Sequence, residues 1–141
     1  MFKLLQGVES TSSALAAQRV QMEIVSQNIA NTNTTRGPDG LPYQRQHVSF
    51  ESVLDQSTGA SGTGAPSVRI SAIQKDNTPP RMVYNPGHPD AGADGMVAYP
   101  AINIHEEMVD LLAASRAYEA NLSVMRNARD MATQTLSVLR S

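Results

Sequence analysis

The chain has 141 residues, a formal net charge of −2 and neither cysteine nor tryptophan, a length that suits one modest domain. Near neutrality without runs of like charge argues against nucleic acid or an anionic membrane surface as partner, and the missing cysteines exclude a disulfide framework and a thiol nucleophile. No apolar run reaches membrane-spanning length, so no direct membrane insertion is expected; the apolar patch at Met1 to Gly7 is short and lacks a cleavage site, unlike a conventional secretory signal.

The first thirty residues carry a heptad pattern. Leu4, Val8, Thr11, Leu15, Gln18, Met22, Val25 and Ile29 follow in alternating steps of four and three, predicting an amphipathic helix over 1–30. It should stop at Asn31-Thr32-Asn33-Thr34-Thr35, whose short polar side chains compete for backbone hydrogen bonds, with Gly37-Pro38-Asp39-Gly40 confirming the break.

The middle, 31–102, changes character. Tyr43 to Phe50 reads as an extended or β segment. Residues 57–66 are Gly, Ser, Thr and Ala without an apolar anchor, which predicts a flexible loop. Val68 to Ile73 alternates as a strand does. The stretch Thr78 to Pro89 holds Pro79, Pro80, Pro86 and Pro89, which forbid helix and favour extended backbone, and Asp94-Gly95 turns the chain into a short strand at Met96-Val97.

The last element, 103–141, is the longest. Ile104, Met108, Leu111, Ser115, Tyr118, Leu122, Met125, Arg129, Ala132, Leu136 and Leu139 form a heptad seam broken only by Ser115 and Arg129. A second stripe runs through Val109, Leu112, Ala113, Ala117, Ala120, Val124, Ala128 and Met131, so the helix has two faces to bury and a single partner helix cannot cover both. Asn103 with Glu106 resembles a capping box, and Glu106 and Glu107 complement the helix dipole. Such a helix, about 54 Å at 1.5 Å per residue, is too long for a compact globule of this size.

Signs of chemistry are weak. His88, Asp90 and Asp94 lie close in sequence, but their spacing matches no recurrent zinc or calcium pattern; a turn whose side chains bond its own backbone is the competing reading. His47 and His105 are isolated, and there is no phosphate-binding glycine loop or nucleophile-base pair. No cofactor, metal or catalytic residue is expected.

Leu15-Ala16-Ala17-Gln18-Arg19-Val20-Gln21-Met22, Ser26-Gln27-Asn28-Ile29-Ala30-Asn31 and Thr34-Thr35 resemble the N-terminal signature of the bacterial flagellar axial proteins, the rod and hook group. Glu107-Met108-Val109-Asp110 and Ala114-Ser115-Arg116-Ala117-Tyr118-Glu119-Ala120-Asn121 resemble its C-terminal signature. The segment from Asp76 to Ala91, with Pro79, Arg81, Tyr84, Pro86, Gly87, His88, Pro89 and Asp90, closed by Gly95, narrows the resemblance to the proximal rod branch of the flagellar basal-body rod family. Departures are small: Met96 stands where an aromatic is usual, and Ala101-Ile102 replaces a Pro-Asn-Val style entry to the last helix.

The resemblance implies a structural protein of the flagellum and not an enzyme. It would leave the cell through the flagellar type III export apparatus without a cleaved signal and assemble helically, with copies of itself and other rod proteins, into the periplasmic drive shaft that transmits torque and encloses the export channel. The fold it implies is α+β, mainly α, with long N- and C-terminal helices in an antiparallel coiled-coil layer and a small β-containing, Pro/Gly-rich middle arm. The expected assembly interface is Leu4, Val8, Leu15, Met22, Val25, Ile29, Met108, Leu111, Tyr118, Leu122, Met125, Leu136 and Leu139. Two rivals remain open at this point: a secreted coiled-coil adaptor or effector, and a metal-dependent peptidoglycan hydrolase built on His88, Asp90 and Asp94.

Overall fold

The computed structural model describes residues 2–54 and 66–138, with residues 2–6, 54 and 66 described by backbone alone. Two helices are the largest elements of an α+β fold: α1, Phe2–Ala30, and α2, Ile104–Val138. They lie side by side and run in opposite directions. Asn121 of α2 donates to Gln18 of α1 at 3.1 Å, and further along α1 Asn28 meets Glu107, nearer the start of α2.

The polar run after α1 ends it by occupying its last carbonyls. Asn31 Nδ2 donates to Gln27 O at 2.8 Å, and Thr32 Oγ1 lies 2.8 Å from Ile29 O and 3.2 Å from Asn28 O. Backbone N–H groups of Asn31 and Thr32 also reach Gln27 O and Ile29 O, at 3.0 and 3.3 Å, so side chain and backbone close the helix end together. At the other end of the chain, Asn103 Oδ1 accepts the His105 N–H at 3.1 Å, and Asn103 Nδ2 donates to Glu106 Oε1 at 2.9 Å. This is a capping arrangement in which Glu106 grips the Asn103 side chain.

Between the helices stand two antiparallel hairpins. β1, Gln46–Leu54, pairs with β2, Pro66–Lys75, with an irregularity between Ser49 and Phe50. β3, Arg81–Tyr84, pairs with β4, Met96–Tyr99. β1 starts later and runs further than the extended segment predicted at Tyr43 to Phe50. Pro66, expected in the flexible loop, opens β2; the rest of that loop lies outside the described residues. β3 was not foreseen as a paired strand. It occupies the proline-free interval between Pro80 and Pro86, where each residue keeps the N–H that a ladder requires. Gly95 turns the chain into β4 with φ 73°, and a Cβ there would lie 2.8 Å from the Tyr84 ring.

The core is thin. Among the described residues the buried apolar side chains are Ala17, Ile24, Val25, Val97 and Ala114. α1 is the central layer, with α2 on one side and the β1–β2 hairpin on another, where Val68 N–H donates to Ser13 Oγ at 3.1 Å.

Candidate assembly interface

The best-defined polar constellation joins three parts of the chain. Asn28, only 1% exposed, accepts the Gln46 N–H at Oδ1 (2.9 Å) and returns a bond from Nδ2 to the Gln46 carbonyl (2.8 Å). Its carboxamide thus serves the first residue of β1 as a neighbouring strand would, offering one donor and one acceptor side by side. The Tyr43 hydroxyl donates to the same Oδ1 at 3.0 Å, and Nδ2 also reaches Glu107 Oε2 at 3.0 Å. Glu107, likewise 1% exposed, takes the Arg45 Nε–H at Oε1, and Arg45 extends a second nitrogen to within 3.7 Å of Asp110. Among the described residues no buried side-chain polar atom lacks a partner.

The electrostatics follow from this packing. The hydrogen bond to Glu107 raises the Arg45 pKa further above an already high value, outweighing its partial burial. Burial, and then the charge of Glu107, raise the Tyr43 pKa above its ordinary 10.0. Glu107 therefore has a role that sequence reasoning missed: it is buried in an ion pair, while capping falls to Asn103 and Glu106. The signal was Arg45, a lone base just before a strand, but nothing local ties it to a residue so far along the chain.

The side of α2 turned to α1 is rotated from the seam read in the sequence. Glu107, Leu111, Ala114, Tyr118, Asn121, Met125, Ala128 and Ala132 are all buried or half-buried, whereas Ile104, Met108, Arg129 and Leu136 are exposed. The two registers share Leu111, Tyr118, Met125 and Ala132. At the alternate positions Ala114 is buried and Ala128 half-buried, while Ser115 is half-buried at the flank and Arg129 is exposed. Leu122 is half-buried at the flank.

On α1, Ala17, Ile24, Val25 and Asn28 are buried, and Val8, Leu15, Met22 and Ile29 are half-buried beside them. The Leu4 side chain and all of Leu139 lie outside the described residues. Away from α1, α2 presents Val109 at 64% exposure and Leu112 at 59%, with Met131 also exposed. At 100° per residue these positions fall on the half of the helix opposite its contact with α1.

The residues named for the family motif separate into distinct places. Asn28 and Asn121 make the contacts between elements described above, Asn31 closes α1, and Ala30, Arg116, Glu119 and Ala120 are exposed. In the β3–β4 arm, Tyr84 is 69% exposed, while His88 turns inward and sets its ring edge-on to Tyr99, with centroids 6.1 Å apart. Arg81 approaches the Tyr99 ring at 6.0 Å. Tyr99 is thus contacted by both, a focal position that sequence reasoning did not identify.

The hydrolase reading finds no support in this geometry. His88 Nδ1 accepts the Asp90 N–H at 3.1 Å, Asp90 is held by Thr35 Oγ1 at 2.8 Å and by Arg36 at 3.4 Å, and Asp94 Oδ1 accepts the Met96 N–H at 3.1 Å. These are turn-closing and segment-linking bonds. Among the described residues no group of three or more His, Cys, Asp and Glu is placed to hold a metal ion, and no helix is long and apolar enough to cross a membrane.

Comparison with known proteins agrees with this picture. Residues 9–38 match the model of the flagella basal body rod protein family, and residues 93–138 match that of the flagellar basal body rod FlgEFG protein C-terminal region. Flagellar basal-body rod protein FlgC of Borreliella burgdorferi is 37% identical over 97% of this chain and 98% of its own length. The FlgC proteins of Bacillus subtilis and Salmonella typhimurium are 38% and 35% identical, over 91% and 96% of this chain and 93% and 97% of their own lengths. With similarity at this level along nearly the whole of both sequences, the chain belongs to the FlgC family of flagellar basal-body rod proteins.

Proposed function

We propose that the chain is a structural, non-enzymatic subunit of the flagellar basal-body rod whose two helices form a coiled-coil layer between neighbouring subunits. On this reading 1–30 and 103–141 are the packing layer and 31–102 is the outward arm. The subunit assembles helically with copies of itself and other rod proteins, after passage through the flagellar type III export apparatus without a cleaved signal. The resulting periplasmic shaft transmits torque and encloses the export channel.

The observation that carries this reading is the set of apolar side chains that α2 exposes on the side away from α1. Val109, Leu112 and Met131 are exposed although α1 already covers the other side of the helix. Large apolar side chains recurring on an exposed helix face suit an interaction site, and a subunit with helical neighbours on more than one side needs apolar residues on more than one face. Met108 and Leu136 are exposed as well, which leaves them available to neighbouring subunits.

The test is Leu112→Asp. Leu112 is exposed in the single chain, so the substitution should leave circular dichroism and melting of the purified subunit close to wild type. Within the layer it would bury an unpaired charge, and rod incorporation and swimming should fall by at least tenfold. Arg126→Ala, a change of an exposed polar residue, is the mild comparison. Normal rods in Leu112→Asp cells would refute the helix-layer reading.

A further inference from the structure

The β1–β2 hairpin lies against α1, bonded near its far end where Val68 N–H donates to Ser13 Oγ, and at its base it is tied to both helices. As a two-stranded ribbon it has little stability of its own. At its base Asn28 binds both backbone groups of Gln46, and Asp76 N–H donates to Arg45 O at 2.7 Å. The side chain of Arg45 then crosses to Glu107 on α2. Three elements meet in one network: α1 through Asn28, α2 through Glu107, and the hairpin through Arg45 and Gln46.

We propose that the Arg45–Glu107 pair is a positioning device that, with the Val68–Ser13 bond holding the hairpin against α1, fixes the angle of the β1–β2 hairpin to α2, and through that angle decides whether the subunit fits its place in the rod. A buried ion pair contributes little net stability, because desolvation offsets much of the attraction, but it strongly penalises arrangements that separate its members. Glu107 is almost wholly removed from water, so a swing of the hairpin that withdraws Arg45 strands a carboxylate beside Asn28. An apolar contact of equal area would tolerate sliding. The Arg45 fork accepts few orientations, since Nε serves Glu107 while a terminal nitrogen approaches Asp110. The consequence for assembly rests on the rod reading above; the angular role does not.

The chain has no cysteine, so cysteines placed at the exposed Ser52 on β1 and Ser123 on α2 allow spin labels to report the distance between hairpin and helix by pulsed electron paramagnetic resonance. The informative variant replaces both partners with apolar residues of similar volume, Arg45→Met with Glu107→Leu. Melting should stay near wild type, while the distance distribution should broaden at least twofold and rod incorporation should drop at least tenfold. Arg45→Lys keeps the charge, loses the fork and leaves the buried carboxylate a cation, which guards against loss of fold; it too should broaden the distribution. A narrow, unshifted distribution in either variant, measured well below melting, overturns the positioning role. A broadened distribution with normal incorporation overturns the link to assembly. Failure of the unmodified chain to enter rods would instead count against the rod reading, leaving the distance measurement to decide the joint.

Discussion

Asn28 illustrates how much one side chain can specify. Its Oδ1 faces two donors, Gln46 N–H and the Tyr43 hydroxyl, and its Nδ2 faces two acceptors, Gln46 O and Glu107. Only a short carboxamide meets all four, since aspartate cannot donate. Asn28→Asp would set two carboxylates about 3 Å apart, at the position where Nδ2 now meets Glu107 Oε2. We expect a loss of about 3–5 kcal/mol of stability at pH 8 by urea denaturation, smaller at pH 5, where the pair can share a proton. Tyr43 carries a pH dependence of the same sign, at higher pH. Burial and the Glu107 charge raise its pKa in the folded chain above 10.0, so its contribution is complete below the unfolded value and is lost as pH rises through the folded one. Melting temperatures between pH 8 and 11.5 should therefore fall less steeply in Tyr43→Phe than in wild type.

At the level of elements, the contact between α1 and α2 is governed by small residues. Ala17 and Ala114 are buried at 5% and 4% exposure. Ala114→Leu should cost about 1–3 kcal/mol through overpacking, read as a lower urea midpoint with an unchanged slope. Ala113→Leu, one position away and exposed, should be nearly neutral in the isolated subunit. The helix ends are equally specific: Asn31 and Thr32 close α1, while Asn103 opens α2. The β3–β4 arm gains its rigidity from the Asn85–Gly95 closure, where Asn85 N–H donates to Gly95 O at 2.9 Å, and from Tyr99 beneath Arg81 and His88.

For the whole molecule, the question is which part selects the neighbour. The helices carry the general apolar surface, whereas the β3–β4 arm displays Tyr84 and Met82 on a framework stiffened by proline. Exchanging residues 76–97 for the corresponding segment of another rod protein, with both helices and the Arg45–Glu107 joint intact, should give a chimera that is exported but does not enter the rod at its normal level. Basal bodies isolated from such cells, examined by immunoblot and electron cryomicroscopy, provide the check. Assembly at the normal level with full swimming would place partner choice in the helices. His88 should contribute less than Tyr84 to any such choice, because its ring is turned onto Tyr99 and its Nδ1 is already bonded.

The two helices, their approximate ends and the extended middle could be read from the sequence alone, because the information is local: heptad spacing, an Asn-Thr run that satisfies terminal carbonyls, and prolines that forbid helix. The family could be read for the same reason, since its signatures are contiguous. The rotation of α2 could not. Ser115 and Ala114, or Arg129 and Ala128, differ by a single step, and the choice between them depends on how closely α1 approaches, which only the packed pair decides. Nor could the joint be read, because Asn28, Arg45 and Glu107 are distant in sequence and each has an ordinary local explanation as a helix-end, pre-strand or capping residue. Folding brings the three together, and once water is excluded around Glu107 their geometry is held by the cost of leaving a buried charge unpaired.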